Sequence, residues 1–168
     1  MYSRRLILIS VLALLAIGCR EIFKSSSSES AKPATVALTL DTTVNGSQLT
    51  IEGTTDLPDG CVITYEIQHE QFATRTDLPS EKLFAEGQAT VASGYYSSDI
   101  DLTGWPAGKV DVRVAFQTVL GTTKQQPPEI ISRFGKLGER LEGPNVTRKG
   151  SLKRVEITKP ISLQTSGD

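Results

Sequence analysis

The chain has 168 residues, and its 18 Lys and Arg against 19 Asp and Glu give a formal net charge of −1. This length is enough for one ordinary domain with its own hydrophobic core. The charge balance excludes the strongly basic composition of nucleic-acid-binding proteins. One histidine and two cysteines, without a CxxC motif, leave too few ligands for the usual zinc sites, so we expect neither a metal nor another cofactor.

The first 18 residues have the pattern of an export signal. Arg4 and Arg5 form a positive n-region, and an apolar run over residues 6–17 follows, which fits the roughly 7–15 residues of a signal h-region. The run is shorter than the roughly 20 apolar residues that a membrane-spanning helix needs. A small-x-small cleavage pattern at residues 16–18 then directly precedes Cys19.

This Ala-Ile-Gly-Cys sequence resembles the lipobox of bacterial lipoproteins, although that family more often has leucine where this chain has Ala16. The resemblance implies cleavage before Cys19, attachment of a diacylglycerol to its thiol, and a location in the cell envelope, outside the cytoplasm. Two acyl chains anchor a protein stably, whereas one holds it only marginally. The alternatives are an ordinary signal peptide that happens to precede a cysteine, and a short uncleaved anchor.

Residues 19–34 are predicted to be a tether between the lipid and the folded domain. The segment contains four consecutive serines and no apolar periodicity, a composition that cannot bury enough apolar surface to fold. If Cys19 carries lipid, Cys61 has no partner in this chain. If Cys19 carries none, the alternative is a Cys19–Cys61 disulfide in a freely secreted domain.

From Thr35 onward the hydrophobic period is two, which predicts β-strands. Asn45-Gly46 is a strong hairpin signal, and the stretch "CVITYEIQHE" directs its odd-numbered residues, from Cys61 to His69, towards the core. Seven or so short strands separated by turn residues predict an antiparallel sandwich over residues 35–160. We expect a C-terminal tail over residues 161–168.

Residues 129–141 interrupt the strand pattern because their apolar residues recur at helical spacing. This spacing predicts a short helix or an ordered loop. Gly135 and Gly138 weaken a helix by about 1 kcal/mol each.

The order of the segments "LPDG", "GQATVASGYYSSDIDL", "PAGKVDVRVAF", "QPPEI" and "GKLGERLEGPNV" resembles a group of bacterial lipoproteins and secreted proteins with one immunoglobulin-like domain. The resemblance covers roughly residues 35–147 and implies an all-β, antiparallel immunoglobulin-like β-sandwich of about seven strands. These motifs consist mostly of turn residues, so they imply a fold and a location rather than an activity.

The candidates for chemistry are few. His69 is the single histidine; "HEQFA" lacks the second histidine of HExxH, and the chain has no GxSxG elbow. Cys61 is one of the odd-numbered residues of its strand that face the core, and a thiol buried in the core is inert. Asp99 and Asp101 share one outer strand face and could hold calcium through oxygen ligands, but outward acids are also the usual pattern of a soluble sheet.

Trp105 and Tyr95 are the candidates for binding. If Tyr96 faces the core then Tyr95 faces outward, and Trp105 lies in the turn before a core strand. Exposed aromatic residues often form binding surfaces, although a sandwich also needs aromatic side chains to close its open ends. Residues 133–159 contain eight Lys and Arg against three Glu, which indicates a solvated face or a contact with anionic polymers or lipid phosphates.

We therefore predict a lipid-anchored, non-enzymatic protein that presents one β-sandwich to another envelope protein or to a surface polymer, and that has no nucleic-acid partner. A second hypothesis is an accessory or assembly subunit whose uncovered sheet edge pairs with a partner strand. A third, from a different class, is a hydrolase that uses His69.

Overall fold

The computed structural model describes residues 32–121 and 125–164. The predicted signal peptide, Cys19 and residues 20–31 of the predicted tether lie outside the described residues. Among the described residues, no helix is long and apolar enough to cross a membrane.

Two antiparallel sheets make up most of the described chain. The three-stranded sheet has the order β1-β2-β5 and the five-stranded sheet the order β4-β3-β6-β8-β7, which confirms the predicted antiparallel β-sandwich with one strand more than the seven expected. The described strands are β1 (Asp41–Asn45), β2 (Gln48–Thr54), β3 (Val62–His69), β4 (Phe84–Thr90), β5 (Tyr95–Asp101), β6 (Gly108–Gln117), β7 (Val146–Lys149) and β8 (Leu152–Leu163). A 3₁₀ turn occupies Ser80–Lys82, and the helix α1 occupies Pro128–Phe134.

The hydrophobic core lies between the sheets because alternate residues of a strand point to the same face. In β6 the side chains of Val110, Val112, Val114 and Phe116 are all 0% exposed, while Asp111 is exposed on the outer face. Each fully buried side chain of this kind contributes about 1.5–3 kcal/mol. The period-two alternation of the sequence thus determines which face of each strand is covered.

The core stripe of β3 follows the predicted parity. Ile63 and Ile67 are fully buried, and Tyr65 between them is half-buried. The Tyr65 ring lies across Gly87 of β4, where an added Cβ would come within 2.2 Å of the tyrosine oxygen. Glycine at this position therefore leaves room for a large side chain at the sheet edge.

A hairpin joins β1 to β2 where the Asn45-Gly46 signal predicted one, but its two-residue loop is Gly46-Ser47, one residue later. Asn45 is paired with Gln48 in the ladder, and Gly46 has a φ of +61°, a conformation that glycine adopts without steric cost. Upstream of β1, the strand predicted from Thr35 forms isolated bridges only, one of them between Leu38 and Thr55. Regular pairing begins at Asp41.

The predicted helix is confirmed for its first half. α1 begins at Pro128, where proline is tolerated because the first helical N–H has no partner in the helix. It ends at Phe134, and Gly135 follows with a φ of +90°. Ile130 and Phe134 are buried against the core, and residues 135–141 continue as turns rather than as a helix.

β8 extends beyond residue 160, where the sandwich was predicted to end. Ile161 pairs with Val110 and Leu163 with Gly108, so residues 161–163 belong to the sheet and not to a C-terminal tail. On the open side of the sandwich, the Lys159 Nζ lies 3.3 Å from the Asp41 Oδ1. This ion pair links the two sheets.

Candidate binding surface

The outer face of the three-stranded sheet is strongly acidic. Pairing between β1 and β2 sets Asp41 opposite Glu52, and pairing between β2 and β5 sets Thr50 opposite Asp99. Side chains directly opposite each other on adjacent strands have Cβ atoms about 4.5–5.5 Å apart. We call this surface the acidic face and define its charge by four side chains: Asp41, Glu52, Asp99 and Asp101.

The carboxylates of the acidic face accept hydrogen bonds mainly from hydroxyl and backbone donors. The Thr50 hydroxyl donates to Asp99 over 2.7 Å. The Thr103 N–H donates to the Asp101 carboxylate over 2.8 Å, and this carboxylate also accepts the Thr103 hydroxyl, the main cause of its lowered pKa. A hydroxyl donor supplies a hydrogen bond but no opposite charge, so these contacts do not neutralise the carboxylates.

Cations contribute little to the acidic face. Among the described residues, the ion pair between Lys159 and Asp41 is the one that involves an acid of this face. After the hydrogen bonds from Thr103, the charge of Lys82 also helps to lower the pKa of Asp101, although the Lys82 amine donates to the Thr103 carbonyl. Three of the four carboxylates of the acidic face therefore have no ion pair among the described residues, which leaves an excess of negative charge on this sheet.

Tyr95 stands at one corner of the acidic face. Its side chain is 42% exposed, and its hydroxyl donates to the Glu52 carboxylate. That hydrogen bond is the main cause of the raised pKa of Tyr95. Its neighbour Tyr96 is 1% exposed and donates to the Thr39 carbonyl, as the predicted parity requires.

Trp105 does not share a surface with Tyr95. Tyr95 is the first residue of β5, whereas Trp105 follows the last residue of that strand and lies near its other end. The indole is half-buried and packs against the core. It lines an open depression of about 340 Å³ together with Ser47, Leu102 and Leu163. This position fits a side chain that closes one end of the sandwich.

The outer face of the five-stranded sheet has a different charge pattern. Arg113 lies between two carboxylates, 2.8 Å from Glu66 and 3.5 Å from Glu156, and Arg154 contacts Glu156 from the other side. This ladder borders an open depression of about 600 Å³. We call this surface the paired face, because the charges of its ladder neutralise one another.

His69 is buried at the end of β3. The side chain is 1% exposed, and its Nδ1 accepts the Gln71 N–H over 3.1 Å. Gly108 lies against the ring, since an added Cβ there would come within 2.7 Å of the Nε2. Among the described residues, neither ring nitrogen has a serine or threonine hydroxyl as a hydrogen-bond partner.

Cys61 is buried at 0% exposure and forms no disulfide in the part of the chain that the structure describes. Burial, assisted by the Glu129 carboxylate, raises its pKa from 9.0 to about 11. The thiol is therefore protonated at neutral pH, and a protonated thiol is a poor nucleophile.

The described residues contain no group of three or more His, Cys, Asp or Glu that could hold a metal ion. Although Asp99 and Asp101 share one outer face as predicted, their nearest partners are the hydroxyls of Thr50 and Thr103.

In comparisons with known proteins, no protein-family model matches this chain, and no curated protein matches it either.

Proposed function

We propose that this protein is a lipid-anchored protein of the bacterial cell envelope whose β-sandwich binds a cationic protein surface through the acidic face. The observation that carries the proposal is the contrast between the two outer faces. Arg113 and Arg154 neutralise the carboxylates of the paired-face ladder, whereas the acidic face has one ion pair for four carboxylates.

The negative charge of the acidic face determines which class of partner it can bind. Outside residues 128–159, the described chain has 12 Asp and Glu against 5 Lys and Arg. A negative surface attracts a positive partner, accelerates its association and repels partners of like charge. Anionic surface polymers are therefore disfavoured at this face, and a protein with a basic patch is favoured.

Tyr95 suits this role because its exposed ring lies beside the carboxylates. Tyrosine is enriched at the energetic centres of protein interfaces. Its ring can also receive a lysine or arginine of the partner through a cation–π contact worth about 0.5–1 kcal/mol at an exposed site.

The strand order supports the immunoglobulin-like assignment. β2 lies beside β5 in one sheet, and β3, β6 and β8 are consecutive in the other. These neighbours correspond to strands B–E and C–F–G of the immunoglobulin arrangement.

The edge of β8 offers a weaker alternative, in which a partner strand joins the sheet. β7 pairs with β8 only as far as Val155, and the Glu156 N–H then donates to the Asn145 carbonyl over 2.9 Å. Even-numbered residues beyond Glu156 therefore direct their backbone polar groups away from β6. Pro160 stands among them without an N–H, a common protection of exposed edges. We accordingly favour the face over the edge.

Site-specific photo-crosslinking in intact cells tests the acidic face. A photoreactive residue replaces Ser97, which is exposed on the same face of β5 as Asp99 and Asp101, lies opposite Glu52 and contributes no charge. We expect one cross-linked protein with a basic surface, and at least a tenfold loss of the adduct in Asp99→Asn/Asp101→Asn. The control is Glu86→Gln/Asp111→Asn, which removes two exposed acids from the other sheet.

Two outcomes would overturn the assignment of the acidic face. One is an adduct that Asp99→Asn/Asp101→Asn leaves unchanged, and the other is an adduct with polysaccharide instead of protein.

The lipid anchor at Cys19 is tested separately by the intact mass of the chain extracted from host membranes. We expect cleavage before Cys19, added acyl groups and one free thiol.

A further inference from the structure

The cations of the C-terminal third gather at one end of the sandwich. The Lys153 N–H donates to the Leu137 carbonyl over 2.9 Å, so the segment that follows α1 lies along the start of β8. On its other side, Lys153 pairs with Arg148 in the ladder of β7 and β8. We call this region the basic end and define it by Arg133, Lys136, Arg140, Arg148, Lys149 and Lys153.

The charge of the basic end is only partly compensated. Residues 133–153 contain six Lys and Arg against Glu139 and Glu142, and Glu129 lies one turn before Arg133 in α1. Two of the cations hydrogen-bond to backbone carbonyls, Arg140 to Ser132 over 2.6 Å and Lys153 to Leu141 over 3.0 Å, and such bonds leave the positive charge in place.

The tip of this region is the turn between β7 and β8. Arg148 and Lys149 are both exposed there, and none of the ion pairs among the described residues involves them. Glu139 lies nearer to Lys136 and Arg140, which help to lower its pKa after its main cause, backbone hydrogen bonds. The exposed turn therefore presents positive charge without an acidic neighbour in the ladder.

The chain enters the domain at the same end. The Ala34 N–H donates to the Arg140 carbonyl over 2.8 Å, and the Glu142 N–H donates back to the Ala34 carbonyl over 3.0 Å. Fifteen residues separate Cys19 from Ala34 in the sequence, a length that spans at most about 50 Å. A lipid on Cys19 would hold Arg140 within that distance of the bilayer.

Asp99 and Asp101 of the acidic face lie towards the opposite end, whereas Asp41 and Glu52 lie nearer to the point of chain entry. Thr54, close to the point of chain entry, pairs with Tyr95 at the start of β5, while Asp101 is the last residue of the same strand. An anionic membrane would therefore attract the end where the chain enters and repel the far part of the acidic face.

From this placement we infer that the basic end rests on anionic lipid headgroups of the membrane that anchors the chain. The inference rests on the proposed lipid anchor at Cys19. The contact orients the sandwich so that the acidic end of β5 faces away from the bilayer, where a partner can reach it. Each Lys or Arg near an anionic surface strengthens such a contact about fivefold.

A polarity-sensitive dye on the full-length, acylated protein tests the contact. Ser151→Cys places the dye in the exposed turn between β7 and β8 without altering a charge, and Ala107→Cys places a control dye in an exposed loop near the far end of the sandwich. Labelling is selective because Cys19 is acylated and Cys61 is buried with a raised pKa. Each protein is reconstituted into phosphatidylcholine vesicles with or without about one third phosphatidylglycerol.

We expect a blue shift of the Ser151→Cys dye with phosphatidylglycerol only, and its loss at about 0.5 M salt because the contact is electrostatic. Lys149→Gln should lower the ratio of docked to undocked domain about fivefold, and Arg148→Gln/Lys149→Gln about 25-fold. The matched control is Lys109→Gln, which removes an exposed lysine near the far end of the domain and should leave the shift unchanged.

Three outcomes would overturn the inference while leaving the anchor intact. In the first, the protein stays on the vesicles but the Ser151→Cys dye gives the same emission with and without phosphatidylglycerol. In the second, the Ala107→Cys dye shifts as much as the Ser151→Cys dye. In the third, the Ser151→Cys dye responds to a soluble polyanion but not to phosphatidylglycerol. A protein that lacks acyl groups by mass and does not stay with vesicles of either composition would overturn the anchor itself, and the inference with it.

Discussion

Replacing Phe134 by alanine should destabilise the domain by about 4 kcal/mol. The side chain is 0% exposed, although α1 has only seven residues. The Phe134 ring packs edge-on against the Phe116 ring with 5.3 Å between their centroids. The Arg133 guanidinium carbon lies 4.8 Å from the centroid of the Phe134 ring. Removing a core phenylalanine costs about 3–5 kcal/mol and losing an aromatic pair about 0.5–1.5 kcal/mol. Alanine recovers about 0.5 kcal/mol through its higher helix propensity.

Urea unfolding measures this loss as a fall in the transition midpoint at constant slope. For the 130 described residues, an unfolding entropy of about 2 cal/mol/K per residue converts 4 kcal/mol into a fall in Tm of about 15 °C. The control is Ser132→Ala on the exposed side of the same helix, which should change stability by less than about 0.5 kcal/mol. A loss below about 1.5 kcal/mol for Phe134→Ala would refute the reasoning, since α1 would then be an appendage and not part of the core that supports the basic end.

Two further predictions concern the edge of β8 and the buried thiol. Pro160→Ala restores an N–H at the open edge, so we expect concentration-dependent self-association by light scattering with little change in unfolding free energy; a variant that stays monomeric would contradict the protective role of Pro160. The pKa of Cys61 is raised from 9.0 to about 11 in the folded state, so the unfolded chain loses the thiol proton first as the pH rises. Stability should therefore fall between pH 9 and 11. The urea midpoint of the native chain should fall more steeply over this range than that of Cys61→Ala, and equal slopes would contradict the effect of burial.

Local signals predicted the parts of the fold that depend on neighbouring residues. The Asn45-Gly46 signal located the hairpin between β1 and β2, but the loop is Gly46-Ser47. A two-residue loop at Asn45-Gly46 would have set Asp41 opposite Thr50 instead of Glu52. Alternation likewise separated outward Tyr95 from inward Tyr96. The predicted tail was wrong for residues 161–163, since β8 continues to Leu163 past Pro160. Proline is excluded from central ladders but tolerated at an exposed edge.

The candidate surfaces depended on pairings that no local signal contains. The position of Asp99 opposite Thr50 joins β2 to β5 across 49 residues of chain, and the contact of Glu66 with Arg113 joins β3 to β6 across 47. The sequence placed acids on outward faces, but it could not tell which carboxylates would meet an arginine and which a threonine. Trp105 was ambiguous for a similar reason, since a turn residue can face solvent or close the end of a core.

The distribution of charge gives the strongest argument that this domain binds partners rather than only remaining soluble. Solubility requires surface charge, and interspersed charges of both signs supply it without a large single-sign field. The paired face has this arrangement, with Arg113 between Glu66 and Glu156. The acidic face and the basic end instead each concentrate one sign, at a cost in self-repulsion that mixed charges would relieve. The basic end lies beside the point of chain entry, and the acidic face extends away from it to Asp101. Two regions that each have an excess of one sign are the arrangement expected of a domain that contacts an anionic surface on one side and a cationic partner on the other.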